Sequence, residues 1–318
     1  MHSVHSRRFR TAHMIQIFDR YATFNGSSPF RAPGTLCMIP HLEFGFGTFL
    51  PEKGMIDITN SLVNLATRQG VNFHFNEKVL KIISDRKEAQ GIIVKRGNKE
   101  LVFSSDIIVS NMDITPTYQK LLPHLKEPVK ILTQERSSSA LIFYWGIKSN
   151  FPELDLHNIL FSKDYKEEFD SLFKSYNLSS DPTVYINITS KNIIQDAPKN
   201  SENWFVMINV PSDCGQDWKS IRLRAKNLIL DKIKRILGHD ISSLIECEEY
   251  LDPLKIQSKT SSEKGSLYGS SSNSAFSAFL RHPNQRALRN LYFCGGSAHP
   301  GGGIPLCLLS AKIVSNAI

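Results

Sequence analysis

The chain has 318 residues, of which 41% are hydrophobic and 21% charged, and its formal net charge is +8. This length and composition exclude a wholly disordered chain, a collagen-like repeat and a coiled coil, and they indicate more than one average domain. The basic balance favours acidic partners, such as nucleic acid or an anionic membrane, without choosing between them.

The amino-terminal part is predicted to be mainly helical. The spacing of apolar residues predicts a helix from Phe9 to Tyr21, a second near Thr35, and an amphipathic third from Met55 to Gln69 that Gly70 ends. The buried side of this third helix is expected to consist of Ile58, Leu62, Leu65 and Ala66.

From Val71 to Ser110 the hydrophobic period changes to two, which predicts a run of short strands. Further along, a strand is predicted from Ser138 to Lys148 and a long helix from Trp218 to Leu237, ended by Gly238. One face of that helix is apolar and the other is rich in Lys and Arg. This pattern favours either a membrane-surface anchor or a helix packed on a sheet with a solvated basic face.

Neither a secretory signal nor a membrane span is predicted. The longest uncharged apolar run, Ala140 to Ile147, is far too short to cross a bilayer. The five cysteines include no pair at CxxC spacing, so a disulfide framework and a zinc ribbon are disfavoured and no metal site is predicted. The expected location is the cytoplasm, either free or peripheral at the inner membrane face.

The sharpest motif runs from Leu291 to Lys312, LYFCGGSAHPGGGIPLCLLSAK. It predicts a buried strand, a glycine-rich loop and a helix opened by Pro305, whose apolar residues are expected to be buried. The N–H groups and the positive dipole end at such a helix start suit a phosphate or another electron-rich cofactor group. The glycines alone are equally compatible with a tight strand-to-helix turn, and no P-loop Lys follows them.

This motif closely resembles the C-terminal flavin-binding motif of bacterial phytoene-desaturase-type carotenoid desaturases. The segments Phe18 to Gly54, Gly70 to Val79 and Asp106 to Asp113 resemble other parts of that family, in the same order. The resemblance identifies the chain as a member of the FAD-dependent amine-oxidase-like flavoprotein superfamily.

Two features depart from the family pattern. Lys53 stands where the family usually has the first of two glycines before Met55. The family's GxGxxG-bearing βαβ unit, which binds the ADP half of FAD, is not found near the start of the sequence. The chain is therefore expected to correspond to the C-terminal two-thirds of a desaturase.

The resemblance implies a mixed α/β fold, with an incomplete FAD-binding Rossmann-like domain and a mixed-sheet substrate domain. The implied parts are a helical substrate-lid part (1–70), FAD-domain strands (71–115), a substrate domain with an antiparallel sheet (116–285) and a C-terminal FAD-binding strand, loop and helix (286–318).

The resemblance also implies FAD as the cofactor. Ile304 and Leu306 would offer backbone N–H groups near the isoalloxazine ring, which Pro305 cannot do. Val79 matches a position whose backbone meets the adenine end, although it is equally a plain buried strand residue. The complete set of implied cofactor contacts is Val79, Gly295, Gly296, Gly301, Gly302, Gly303, Ile304 and Leu306.

Only two weak candidates for a catalytic group emerge, His299 and Glu43. His299 lies inside the glycine loop and either tunes the flavin or merely caps the turn. Glu43 is either a carboxylate in a substrate tunnel or a structural partner of Arg20 or Arg31.

The activity that the resemblance implies is FAD-dependent desaturation of a long acyclic carotenoid, such as phytoene or a hydroxylated carotenoid. Two alternatives stay open: another FAD oxidoreductase of the superfamily, of the retinol-saturase or amine-oxidising type, and a truncated, non-catalytic fragment. The expected partners are a lipophilic carotenoid and a membrane surface, and nucleic acid is not expected.

Overall fold

The computed structural model describes residues 1–85, 87–274, 276–277, 280–286 and 288–318. The chain divides into two compact units, each with its own hydrophobic core. Unit 1 comprises Met1–Leu36, Phe73–Ser137 and Ile256–Ile318, and unit 2 comprises Cys37–Asn72 and Ser138–Lys255.

The elements follow in chain order. The α-helices of the described residues are α1 (His2–Arg8), α2 (Ala12–Asp19), α3 (Met38–Phe46), α4 (Ile56–Arg68), α5 (Ile114–Pro116), α6 (Val129–Leu132), α7 (Tyr165–Asp170), α8 (Trp218–Leu237), α9 (Pro253–Thr260) and α10 (Ile304–Ala317). The strands are β1 (Lys78–Ser84), β2 (Ala89–Arg96), β3 (Lys99–Ser104), β4 (Ile108–Ser110), β5 (Ser139–Ile147), β6 (His157–Leu160), β7 (Val184–Asn187), β8 (Glu202–Val210), β9 (Ile245–Leu251) and β10 (Leu291–Phe293).

Unit 1 contains two small sheets. Strands β1, β2 and β3 form an antiparallel meander, whereas β4 and β10 pair in parallel, with Leu291 opposite Ile108. The Asn290 side chain links the two sheets, because it donates to the carbonyls of Ala89 at 2.6 Å and Asp106 at 2.7 Å. The shared core includes Ile82, Ile108, Tyr118, Leu122, Leu291 and Phe293.

Unit 2 is built on a five-stranded sheet in the order β6-β7-β8-β5-β9. Helix α8 shares one buried core with it, in which Trp145 and Trp204 are the largest fully buried side chains. Asp217 caps α8 by accepting from the N–H groups of Lys219 and Ser220, and Gly238 ends it at φ 76°.

The expected mixed helix-and-sheet fold class is confirmed. The sheet of the substrate domain, expected as mixed in the fold class and as antiparallel over 116–285, is antiparallel in every described pairing. The predicted elements at β1 to β5, α4, α8, β10 and α10 are also confirmed. Strands β6 and β9 were not predicted.

One predicted helix is shorter than expected and one predicted strand is wrong. The helix expected from Phe9 to Tyr21 begins only at Ala12, because Phe9 is extended and the Thr11 side chain caps α2 by accepting from the Met14 N–H. No strand forms over residues 71–76, where the Phe75 side chain is 75% exposed.

Two predicted apolar faces are not buried. On α4, Leu62 and Leu65 are 49% and 47% exposed, while Ile58 and Ala66 are half-buried. On α10, the buried residues are Ser310 and Val314, whereas several apolar side chains stay exposed. An apolar stripe predicts a helix, but the stripe is buried only where another element covers it.

Candidate cofactor site

A glycine-rich loop connects β10 to α10. The parallel pairing continues one residue past β10, since the Cys294 N–H donates to the Ser110 carbonyl at 3.0 Å. The backbone then takes positive φ angles at Gly295 (105°), Gly301 (137°) and Gly303 (102°). A residue with a Cβ atom adopts such φ angles only with strain, so the path of the backbone requires glycine at these three positions.

Two side chains pack closely against this loop. An ideal Cβ at Gly302 would lie 2.6 Å from the Tyr268 ring, and one at Gly301 would lie 3.0 Å from Arg281 Nε. A Cβ at Gly296 would lie 3.4 Å from the Gly302 Cα. The loop therefore folds tightly on itself and on Tyr268 and Arg281.

A buried hydrogen-bond network fixes the loop from behind. Asn284 Nδ2 donates to the carbonyls of Phe293 and His299 and to Ser310 Oγ, at 2.9–3.0 Å. Ser310 Oγ also accepts from the Gly295 N–H at 3.2 Å and donates to the His299 carbonyl at 2.8 Å. These bonds tie the end of β10, the loop and α10 together.

The opposite side of the loop is open at the start of α10. Apart from Gly303 and its two chain neighbours, no heavy atom of the described residues lies within 4 Å of an ideal Cβ at Gly303, and Ile304 is 51% exposed. The N–H groups of Ile304 and Leu306 lie in the first helical turn, where no intrahelical acceptor exists, and Pro305 has no N–H. The space that a Cβ at Gly303 would fill thus faces backbone donors and the positive end of the helix dipole. The residues fit an electron-rich cofactor group.

Arg281 adds positive charge beneath the loop. Its side chain is almost fully buried and donates to the carbonyls of Tyr268, Gly296 and Ser270, each at 2.9 Å. Burial lowers the pKa of Arg281 to about 10, which leaves the guanidinium charged at neutral pH. No carboxylate of the described residues lies within 4.0 Å of it to neutralise that charge.

None of the protein-family models searched matches the chain. A 1-hydroxycarotenoid 3,4-desaturase of Flavobacterium sp. (strain P99-3) is 54% identical over 314 residues, which are 98% of this chain and 64% of the relative. Over 98% of its length the chain is homologous to carotenoid desaturases. It spans less than two-thirds of the length of the relatives that it matches.

Two further likenesses agree with this family. A phytoene desaturase of Fusarium fujikuroi is 31% identical over 98% of this chain and 59% of its own length. Among solved structures, an oxidoreductase from Methanosarcina mazei has a TM-score of 0.65 at 14% identity, covering 96% of this chain and 65% of that chain. The latter likeness concerns the fold alone.

The loop residues that the sequence predicts as cofactor contacts lie together in the structure. They stand between the end of β10 and the first turn of α10, and they are Gly295, Gly296, the three glycines 301–303, Ile304 and Leu306. Their contact with a cofactor stays a prediction. Tyr268, Arg281, Asn284 and Ser310 were missed, because three of them lie outside the motif and only contacts in space relate them to it.

The two weak catalytic candidates occupy different places. The His299 side chain is exposed, while its backbone fixes the turn through the bonds to Asn284 and Ser310 and through its N–H donated to the His282 carbonyl. Glu43 is half-buried on α3 in unit 2. Their catalytic roles stay predictions.

Two other sequence alternatives can be located. Arg31, proposed as a partner of Glu43, forms an ion pair with Glu135 at 2.8 Å within unit 1. Val79 lies on β1, an outer strand of the meander, where it pairs with Val94 and packs against the core of unit 1. Its contact with an adenine ring stays a prediction.

The basic face of α8 is largely neutralised by acidic side chains. Lys226 pairs with Glu248 at 2.7 Å, and Lys232 and Arg235 both pair with Asp181, at 2.9 Å and 3.2 Å. Lys232 is buried, and burial lowers its pKa although Asp181 opposes the shift. This arrangement favours a helix packed on a sheet over a membrane anchor.

Unit 2 has a cavity of about 610 Å³ on its sheet. Tyr144 and Phe205 are neighbours across β5 and β8 and form an edge-to-face pair at 5.5 Å in its lining. Asn187, Thr189 and Asn203 add polar groups to the wall. The wall also includes five carboxylate side chains, those of Asp196, Glu202, Glu246, Glu248 and Glu249. The cavity therefore combines an aromatic surface with polar and acidic groups.

Among the described residues, no helix is both long and apolar enough to cross a bilayer. The same residues contain no cluster of three or more His, Cys, Asp or Glu side chains that could hold a metal ion.

Proposed function

We propose that the chain carries the flavin-contacting loop of an FAD-dependent enzyme that desaturates a long acyclic carotenoid. The observation that carries this proposal is the open space at Gly303, which faces the N-terminus of α10. The 54% identity to a relative named as a desaturase supports the same reaction class.

The chain's own residues would position and polarise the cofactor. FAD, when bound, supplies the acceptor for the hydride that leaves the substrate. The N–H groups of Ile304 and Leu306 would donate toward the electron-rich edge of its ring system, and the helix dipole would stabilise negative charge there. The bonds from Asn284 and Ser310 would keep these donors in place while Gly303 leaves room.

We propose a 1-hydroxycarotenoid as the first substrate to test. The relative named for that substrate is 54% identical, whereas the phytoene desaturase from Fusarium fujikuroi is 31% identical. The aromatic lining of the unit 2 cavity, with Tyr144 and Phe205, would hold part of the polyene through apolar contacts. Its polar wall would suit the hydroxylated end of such a molecule.

The test uses purified protein, FAD, and either a 1-hydroxycarotenoid or phytoene dispersed in lipid, with products separated by chromatography. The proposal predicts one additional conjugated double bond in the hydroxylated substrate and slower or no conversion of phytoene. Conversion of phytoene alone would overturn the choice of substrate. A lack of conversion by protein that retains FAD would overturn the proposed reaction.

We also propose that tight FAD retention needs a GxGxxG-bearing βαβ unit of the family. In the described residues, β4 pairs with β10 alone, and Val109 on β4 is 44% exposed. A strand with an unpaired edge is a place where another strand adds. The 318-residue chain by itself should therefore bind FAD weakly and be marginally stable, and supplying the unit should improve both.

A membrane surface is the proposed source of the lipophilic substrate, with the protein in the cytoplasm and peripheral at the membrane. The exposed apolar residues around the end of α3 support this proposal better than α8 does. Phe46 and Phe49 are 73% and 88% exposed. Aromatic side chains of this kind insert into the headgroup region of a bilayer.

A further inference from the structure

Arg20 is a buried cation with no anionic partner among the described residues. Arg20 is the first residue of the 3-10 segment Arg20–Asn25, and only 6% of its surface is exposed. Among the described residues, its Nη1 atom has no hydrogen-bond partner, and no carboxylate lies within 4.0 Å of its guanidinium. The carboxylate of the preceding residue, Asp19, is instead hydrogen-bonded to His2 Nδ1 and His5 Nδ1, at 2.6 Å each.

An unpaired buried guanidinium is costly. Removing a charge from water disfavours the folded state by several kcal/mol unless a counter-charge or a full set of hydrogen bonds compensates. Arg281, also 6% exposed, meets only uncharged carbonyls. Unit 1 thus holds two buried positive charges that have no carboxylate of the described residues within 4.0 Å, although Asp113 acts on Arg281 from a greater distance.

Tyr268 connects both arginines with the glycine loop. One edge of its ring faces Gly302 and the other faces Gly26, where an ideal Cβ would lie 2.9 Å from Tyr268 Cδ2. Arg281 donates to the Tyr268 carbonyl at 2.9 Å. The 3-10 segment that Arg20 begins leads directly to Gly26, so the segment that carries Arg20 packs against the Tyr268 ring. Burial raises the pKa of the Tyr268 phenol, and the charge of Arg20 lowers it.

We propose that Arg20 and Arg281 form a two-arginine site that stabilises negative charge on a ligand held at the glycine loop. The ligand chemistry is an anionic oxygen, either of a diphosphate or of a reduced, deprotonated flavin ring. Charge-assisted bonds from a guanidinium to such oxygens are strong, and a ligand would supply the missing counter-charge. The inference rests on the proposed cofactor loop, but it does not depend on the desaturation reaction.

The first experiment measures thermal unfolding of the 318-residue protein with inorganic pyrophosphate and with riboflavin, which carries no phosphate, in its oxidised and reduced forms. The variants are Arg20→Met, Arg20→Lys and, as a control, Arg31→Met, which removes a paired and partly exposed arginine of the same segment. Without ligand, Arg20→Met should melt at the same temperature as the natural chain or higher, because an uncompensated charge is lost.

The proposal predicts that the natural chain and Arg31→Met bind one of the probes, and that Arg20→Met binds it at least tenfold more weakly. Arg20→Lys should recover part of the affinity. A rise in the unfolding temperature with pyrophosphate assigns the site to a diphosphate. A larger rise with reduced riboflavin than with oxidised riboflavin assigns it to the flavin ring.

Equal affinities in the natural chain and Arg20→Met, or no binding of any probe, would overturn the two-arginine site. So would a loss of binding in Arg20→Met that Arg20→Lys does not recover at all, because the side chain would then be needed for folding and not for its charge. Arg20-dependent anion binding without carotenoid conversion would instead overturn the proposed function and leave this site standing.

Discussion

Asn284 donates from Nδ2 to Ser310 Oγ at 3.0 Å, across 26 positions in the sequence. The two side chains lie behind the glycine loop, and each also bonds to the carbonyl of His299. The loop therefore keeps its shape through side chains on its concealed side, which leaves its open side free for a ligand.

Replacing Ser310 with Ala should destabilise unit 1. The buried N–H of Gly295 and the amide of Asn284 would each lose an acceptor, at a cost of about 1–3 kcal/mol in the free energy of unfolding. Urea unfolding of Ser310→Ala measures this cost. Ser315→Ala, on an exposed position of α10, is the control and should change stability by less than about 0.5 kcal/mol. Equal stability of the two variants would refute the proposed role of the network.

Replacing Gly303 with Ala should weaken flavin binding at least tenfold. The new Cβ would occupy the open space in front of α10, and the φ of 102° with ψ of 146° would add strain of about 1–3 kcal/mol. The control is Gly238→Ala, which has a positive φ of 76° with ψ of 3° and equally open surroundings at the end of α8. Gly303→Ala should lose more stability than Gly238→Ala, and only Gly303→Ala should lose flavin affinity, measured by fluorescence quenching. If Gly303→Ala bound flavin as tightly as Gly238→Ala and the natural chain do, the open space would not be the flavin site.

Unit 1 should lose stability in acid through His282. Its Nδ1–H donates to the Pro283 carbonyl at 2.7 Å, so its Nε2 accepts from the Tyr118 hydroxyl at 2.9 Å. Burial lowers the pKa of His282 from 6.5 to about 4. Because the folded-state pKa is depressed, its contribution is complete above pH 6.5 and is lost as the pH falls from there toward 4.

That loss amounts to roughly 3 kcal/mol at most. Urea unfolding between pH 7 and 4 measures it, and His282→Gln should flatten the pH dependence by up to one proton. His124→Asn, at an exposed histidine bonded to Ser84, should leave the pH dependence unchanged. An unaltered slope in His282→Gln would contradict the assignment.

Membrane binding should depend on Phe46 and Phe49 and only weakly on salt. Changing both to Gln removes apolar area that would enter the bilayer, and sedimentation with liposomes should fall at least tenfold. The double variant Val102→Gln and Ile194→Gln, at residues 66% and 81% exposed elsewhere, is the matched control. If the control lost as much binding, or if high salt abolished binding of the natural chain, the α3 region would not be the anchor.

The elements with a strong local signal were predictable from the sequence. The period-two runs of β1 to β4 and the capped, amphipathic α8 lie where the pattern indicates, because strand alternation and helix capping are local properties. The glycine loop was found for the same reason. Its positive φ angles are adopted without strain only by glycine, so the loop is visible in the sequence as a cluster of glycines.

The supporting residues of the site could not be predicted in this way. Arg20 and Arg281 are 261 positions apart, and nothing in their local sequence shows that both are buried without carboxylate partners. The exposure of Leu62 and Leu65 on α4 has the same origin, since burial depends on which distant element covers a face. The Thr11 cap, which starts α2 three residues after the predicted start, is a local signal that the apolar spacing alone does not show.

The central claim is that this chain contributes the flavin-contacting loop of a carotenoid desaturase. The most direct test mixes a 1-hydroxycarotenoid, without oxygen, with FAD-loaded protein in which the chain is joined to a GxGxxG-bearing βαβ unit of a relative. The account predicts that the absorbance of oxidised flavin falls in equal molar amount to the appearance of the longer polyene, and that Gly303→Ala abolishes both changes. A longer polyene formed while the flavin stays oxidised, or full activity in Gly303→Ala, would contradict it.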